Sequence, residues 1–297
     1  MQSVSIIGCG YTGRRLAERL LKSGARVRGF ATRAESLRDI AATGAEALPL
    51  DLDATIVPTD FDGAVVYYSV PPAPRADDPR LNRFLAGVSG TPARLVYLST
   101  TGVYGDRAGG RVDEETPPAP LTERAMRRLA AENAVRAWAD SQRVSWCILR
   151  VAGIYGPGRL PLDRLRSGVA AIVPREATPG NRIHVSDLVT ACVAAGFAKI
   201  ADRRIYNVTD GSDDSSTEFL QRVAGIARLP PPPLMSRAEA LRAMPPSAQS
   251  FLAESRRVDN ARMLGELGVA LEYRDLDVGI RACLQASPPL APPVTSQ

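Results

Sequence analysis

Histidine is nearly absent from this chain of 297 residues, which has only His184. Lysine is almost as scarce. Lys22 and Lys199 are the only two, so 35 of the 37 basic residues are arginine. The four cysteines, Cys9, Cys147, Cys192 and Cys283, are scattered, with no Cys-x-x-Cys spacing and no Cys/His cluster. A zinc site is therefore not expected, and the thiols read as small buried apolar residues. No run approaches the roughly 18 consecutive apolar residues of a membrane helix. The opening Met1-Gln2-Ser3 has neither the basic nor the apolar region of a signal peptide. The expectation is a cytoplasmic protein with no membrane partner. The net charge of +5 is modest, and the arginines are spread along the chain without a basic run or interleaved aromatics. No nucleic-acid partner is expected.

What is present is ordinary globular material: 45% hydrophobic and 23% charged residues, in a length that supports a large core or two lobes. The first half alternates strand and helix. SVSIIG reads as a buried strand, and RRLAERLLKSG as a helix with an apolar stripe at Leu16, Ala17, Leu20 and Leu21, stopped by Gly24. ARVRGFAT is a second strand, and AESLRDIAATG a helix closed by Gly44. AEALPLDL, DGAVVYYSV, ARLVYLSTTGVYG and VSWCILRVAGIYG read as strands three to six, with a long helix at 122–140 before the sixth. Strands separated by helices pair in parallel, which gives an α/β, doubly wound sheet. The second half is less regular. It offers a strand and helix around NRIHVSDLV, another strand at RRIYNVTDG, a stiff connector at Pro230–Pro233 and a tail, ASPPLAPPVTSQ, expected to be disordered or draped on the surface. The division expected is a nucleotide-binding domain over 1–156 and mainly a small C-terminal substrate lobe over 157–297, with 180–210 returning to the sheet.

Gly8, Gly10 and Gly13 form a G-x-G-x-x-G turn between the first strand and the first helix. In a Rossmann-type unit the first glycine permits the tight turn, the second lets backbone approach a pyrophosphate, and the third lets helix pack on strand. The helix N-terminus, with Tyr11 and Thr12, then faces the phosphates. A bare glycine-rich turn is the alternative, but the strand-turn-helix-strand context favours a ligand. At the end of strand two, where NAD-binders usually carry an acid, stand Thr32 and Arg33, with no acid until Glu35. Arginine there suits a 2′-phosphate, so NADP is expected over NAD.

Further landmarks add to this turn. PLDL, YYSVPP, LSTTGVYGD, LRVAGIYGPG, NRIHVSDLV and IYNVTDG follow in order along most of the chain. With the glycine turn, they resemble the extended short-chain dehydrogenase/reductases, the family of NAD(P)-dependent epimerases and dehydratases. The glycine turn departs from that family's T-G-x-x-G-x-x-G by carrying Ile6-Ile7 in place of the leading pair. The resemblance implies a seven-stranded parallel sheet with substrate between it and the C-terminal lobe. It implies adenine contacts from Asp51 and Leu52, and a cofactor lining from Ser69, Val70, Val151 and Ile154. It also implies hydride-transfer chemistry and a homodimer joined through helices such as 122–140.

The family's catalytic set is a serine or threonine, a tyrosine and a lysine four residues after the tyrosine. Thr100 matches the first. Counting back from LAAE at 129–132 puts Arg128 at the lysine place and Arg124 at the tyrosine place. Four residues apart, the two share a helix face. Arg128 can still supply a positive charge. Arg124 cannot exchange a proton, because a guanidinium titrates above about 12; it can instead grip an anionic substrate or the cofactor phosphates. Tyr104, Tyr155 and His184 are alternative proton carriers but read first as packing residues, and Asp113-Glu114-Glu115 reads as a solvated loop. Two functions follow. One is an NADP-dependent (NAD possible) oxidoreductase or epimerase acting on a carbonyl or hydroxyl of a small-molecule substrate such as a nucleotide sugar. The other is a catalytically impaired NADP(H)-binding sensor.

Overall fold

The structure is a computed structural model that describes residues 2–54, 59–73, 79–243 and 254–286. The proline-rich tail discussed above lies outside them from residue 287 onward. Seven strands form the central sheet: β1 (Ser3–Ile7), β2 (Arg26–Ala31), β3 (Glu46–Pro49), β4 (Val65–Tyr68), β5 (Arg94–Thr100), β6 (Ser145–Val151) and β7 (Arg204–Val208). They lie in the order β3-β2-β1-β4-β5-β6-β7, every pair parallel. The chain reverses its direction of travel across the sheet between β1 and β4. In doubly wound sheets the crevice at that switch point, outside the carboxyl ends of the strands, is where ligands bind.

The sequence makes these strands because both of their faces are covered. Along β1 Ile6 joins the core on one side and Ile7 the core on the other; Tyr67 and Tyr68 of β4 divide in the same way, as do Cys147 and Ile148 of β6. Alternation with period two sends successive apolar side chains to opposite faces. Each fully buried aliphatic contributes on the order of 1.5–3 kcal/mol. The first face is covered by α1 (Tyr11–Lys22), α2 (Ala34–Ala42) and, further along the chain, α6 (Val185–Phe197). The second is covered by α3 (Pro79–Ala86) and α4 (Glu123–Gln142). Helix α1 stops where Gly24 takes a left-handed φ of +81°, a conformation glycine adopts without strain.

A third core, built on Tyr155, Leu165, Leu220, Val223 and Ile280, lies away from the sheet. It gathers α5 (Leu162–Arg166), α7 (Ser216–Ala227) and, after the short helices α8 (Arg237–Ala243) and α9 (Ala261–Glu266), α10 (Leu276–Gln285). Ser215 and Glu218 close a reciprocal capping box at the start of α7.

One reading of the sequence needs correction, and one helix was not read at all. The sixth strand is not continuous. Ala152 still donates to Val208 of β7, but Gly153 donates to Asn181, and Gly153–Tyr155 pairs with Arg182–His184 outside the main sheet. The pairing partner changes within one residue, which no periodicity reveals. The crossover between β4 and β5 contains α3, unread because its stripe of Leu81, Phe84 and Leu85 is only eight residues long. The four thiols are all buried, and among the described residues no helix is long and apolar enough to cross a membrane.

Candidate functional site

The glycine turn sits at the carboxyl end of β1 and opens a cavity of about 480 Å³. Gly8 holds a left-handed φ of +79°, and a Cβ there would lie 2.7 Å from Val70 Cγ2. Ser69 braces the turn, its hydroxyl donating to the carbonyl oxygens of Gly8 (2.8 Å) and Ile7 (3.1 Å). Gly10 is the opposite case: the nearest atom to a Cβ there is 3.9 Å away, so its face is open backbone. Gly13 packs α1 on the sheet, a Cβ at that position meeting Ile6 at 3.1 Å and Cys9 at 3.3 Å. The first ladder bond of α1 is Arg14 to Gly10 at 2.9 Å. The amides of Tyr11, Thr12 and Gly13 therefore belong to the unpaired first turn of the helix. Gly8, Gly10, Thr32, Arg33, Asp51, Leu52, Ser69 and Val70 all line this cavity.

Three polar lining residues, Ser36, Asp53 and Arg80, went unread in the sequence. Arg80 grips Asp53 with two hydrogen bonds, 2.9 and 2.6 Å, across the cavity edge. That pair joins α3 to the segment after β3, so only the folded chain brings it together. Tyr11 does not line the cavity. Its hydroxyl donates to Pro157 at 3.0 Å, and the guanidinium carbons of Arg15 and Arg159 each lie 3.9 Å from its ring centre. Val151 lies in the core of the first face and does not line this cavity.

Thr100, Arg124 and Arg128 line a second cavity of about 380 Å³. Thr100 ends β5 and caps a short turn over Thr101–Tyr104, its hydroxyl oxygen accepting from Gly102 at 3.2 Å. Helix α4 starts at a Thr122 cap whose side chain accepts from Ala125. It is fastened to the sheet by Glu132, whose carboxylate takes Arg150 of β6 at 2.9 Å and the hydroxyl of Ser99. Both partners of that ion pair are 3% exposed. One turn before Glu132, Arg128 donates to the Tyr97 hydroxyl (3.2 Å) and the Leu98 carbonyl (3.1 Å). One turn earlier still, Arg124 is exposed at the cavity. The opposite wall brings in Asn181, Glu254 and Arg256, which no spacing in the sequence announces. Gly153, Thr178, Gly180 and Asn181 are shared with a third, larger cavity of about 560 Å³ under the C-terminal lobe. Ile154 lines that one rather than the first, beside Arg159, Arg164 and Arg182.

The alternative proton carriers Tyr104, Tyr155 and His184 line neither the glycine-turn cavity nor the Thr100 cavity. Tyr104 is fully buried, and its hydroxyl donates to Asn207 at 2.7 Å. Burial pushes the Tyr155 phenol well up, and its ring meets His184 edge-on at 5.1 Å. His184 caps α6 by accepting from Ser186 through Nδ1, and burial lowers its pKa to about 4. The acidic run is not simply solvated. The Glu114 side chain is buried, accepts from the Asn207 backbone amide at 2.7 Å and has its pKa raised by burial.

Comparison with known proteins places this architecture. Residues 84–209 match the NAD dependent epimerase/dehydratase family. The protein YeeZ of Escherichia coli K12 is 27% identical over 291 residues, 93% of this chain and 97% of its own. The dTDP-6-deoxy-L-talose 4-dehydrogenase (NAD(P)(+)) of Kitasatospora kifunensis is 30% identical over 240 residues, 72% of this chain and 75% of its own. Among solved structures, a functionally unknown conserved protein from Silicibacter pomeroyi DSS superposes with a TM-score of 0.81 at 32% identity, covering 95% of this chain and 98% of that one. The UDP-glucuronic acid 4-epimerase from Bacillus cereus in complex with NAD shares the fold, with a TM-score of 0.73 at 16% identity over 96% of this chain and 98% of that one. With its seven-stranded parallel sheet and glycine turn at the switch point, this chain belongs to the NAD-dependent epimerase/dehydratase family.

Proposed function

We propose that this protein binds NADP(H) in the cavity at the glycine turn and uses it as an oxidoreductase or epimerase on a carbonyl or hydroxyl substrate of nucleotide-sugar type. One observation carries the reading: the open backbone face at Gly10, beside the unpaired first turn of α1, in a cavity that also contains Thr32, Arg33 and Ser36. A pyrophosphate needs a close backbone approach and free amides, and both are there. Gly8, Gly10, Thr12 and Gly13 would hold it, with Ser69 and Val70 bracing the turn. Tyr11 would hold the turn to the Pro157 loop. Asp51 and Leu52 would meet the adenine, and Arg33 the 2′-phosphate, in line with an NAD(P)(+)-dependent relative. When bound, the nicotinamide supplies or accepts the hydride.

Thr100 accepts the Gly102 amide, which leaves its own proton to donate to a substrate oxygen. Arg128, fixed by two bonds to β5, keeps a positive charge beside that oxygen. A second reading rests on Arg124, which cannot take the proton role of a tyrosine: a sensor that binds NADP(H) without turnover. Calorimetric titration with NADPH and NADH, then a turnover screen on aldehydes, ketones and nucleotide sugars, separates the two. Tight NADPH binding with turnover supports the enzyme. Tight binding without turnover across the panel supports the sensor. Tighter NADH binding overturns the cofactor choice, and no binding overturns both readings.

A further inference from the structure

The first residue of α1 belongs to two places at once. The main chain of Tyr11 is part of the glycine turn, and its amide is one of those left unpaired at the start of the helix. Its side chain reaches instead to the segment that follows the break in the sixth strand. The Tyr11 hydroxyl donates to the Pro157 carbonyl at 3.0 Å. The guanidinium carbons of Arg15 and Arg159 each lie over the Tyr11 ring, 3.9 Å from its centre. Two such groups at that distance do not fit on one face, so the ring is clamped between them. Arg15 also donates to the Tyr11 carbonyl at 2.9 Å, which ties the main chain of the turn to the same clamp. A Cβ at Gly156 would meet the Tyr11 hydroxyl and Val185, so the segment closes on the tyrosine without a gap.

The segment held in this way belongs to the lobe. Ile154, Tyr155 and Arg159 line the cavity under the lobe, and Tyr155 is part of the third core. Arg159 is not in the lining of the glycine-turn cavity. A cation over an aromatic ring at a partly exposed site is worth about twofold to fivefold in an equilibrium constant, enough to be read in a binding measurement.

We propose that Tyr11 is a positioning residue that couples the two cavities: by holding Pro157 and Arg159 it fixes the glycine turn from the side of the lobe, and cofactor binding at the turn in return orders segment 153–159. This rests on the reading of the glycine-turn cavity as the cofactor site. Arg159 then acts on the cofactor only through the Tyr11 ring. A ligand in the lobe cavity that steadies Arg159 on that ring favours cofactor binding, and bound cofactor favours that ligand by the same factor.

NADPH is the probe, titrated by calorimetry at fixed ionic strength into the full chain, with hydrogen exchange of the amides at 153–159 followed in its presence and absence. Arg159→Met is expected to weaken NADPH by about twofold to fivefold, and Arg159→Lys to recover part of the loss, since an ammonium is also attracted to a ring face. In the Tyr11→Leu background the Arg159→Met loss is expected to vanish, because two groups acting through one contact are not additive. NADPH should slow exchange at 153–159 in the wild type and not in Tyr11→Leu, a response that a merely structural tyrosine does not give. Arg166→Met removes a charge from the neighbouring α5 outside these cavity linings and is expected to leave the affinity as it is. Thermal melts establish that each variant is folded. If Tyr11→Leu is not, Tyr11→Phe takes its place: it loses only the Pro157 bond and should reduce the exchange response. Wild-type affinity in Arg159→Met, an undiminished loss in Tyr11→Leu, or an equal loss in Arg166→Met overturns the proposal. So does an exchange response that is missing from the wild type or unchanged in the Tyr11 variant. A wild type that binds NADPH without this coupling removes the proposal alone. A wild type that binds neither NADPH nor NADH removes the cofactor reading and the proposal with it.

Discussion

The glycine-turn cavity and the Thr100 cavity are built by different means. The glycine-turn cavity is largely local: a tight turn at Gly8, one strand end at Thr32 and Arg33, and the Ser69-Val70 brace all follow strands that lie side by side in β1, β2 and β4. The Thr100 cavity is assembled from segments near residues 100, 124, 180 and 255, more than 150 positions apart in the chain. It depends on α4 being pinned by a buried ion pair. A site made from backbone conformation tolerates change elsewhere; a site made from remote side chains inherits the stability of whatever holds them.

The sharpest way to break that contrast is Glu132→Ala. Removing one partner of a buried ion pair leaves Arg150 uncompensated and costs about 3–5 kcal/mol. Urea unfolding should show the loss, while the folded fraction keeps its NADPH affinity; an equal loss of cofactor affinity would mean that the two cavities are not separable. Next in size is a pH effect on the side of the lobe. The folded-state pKa of His184 is about 4 against an unfolded 6.5. The fold therefore favours the neutral ring, and this contribution is complete above about pH 6.5 and is lost as the pH falls towards 4, about 3 kcal/mol in all. Asp210, raised to about 6 by burial, acts in the opposite direction over much of the same window. The wild type minus His184→Asn difference in urea stability between pH 4 and 7 isolates the histidine part.

Arg33→Ala should weaken NADPH by about 2 kcal/mol, the worth of a charged hydrogen bond, and leave NADH affinity unchanged, as read by calorimetry. Equal losses for both cofactors would place Arg33 on something other than the 2′-phosphate. The smallest effect is at the start of α4. Thr122→Ala deletes the cap and should cost about 1 kcal/mol in a thermal melt, showing how far the helix start, rather than its buried anchor, supports the second cavity.

The seven sheet strands were legible because each carries apolar side chains to both faces of a sheet, a pattern that neighbouring residues set. Gly24 and Gly44 marked their helix ends for the same local reason: both take positive φ. The turn at Gly8, Gly10 and Gly13 was legible with them. The short α3, the break at Ala152, the burial of Glu114 and the Arg80–Asp53 clasp were not, since each depends on what comes to lie beside it. Glu114 could be placed in a solvated loop until Asn207 arrived from β7 to bond it.

By itself, the sequence determined the alternation of strand and helix, the glycine turn and the two arginines on one face of α4. All of these are properties of residues within a few positions of each other, where backbone sterics and side-chain periodicity decide. Only the tertiary structure decided that Arg124 and Arg128 line the same cavity as Glu254 and Arg256. The charge balance of a cavity is a sum over side chains from distant parts of the chain, and Coulomb interactions depend on separation in space.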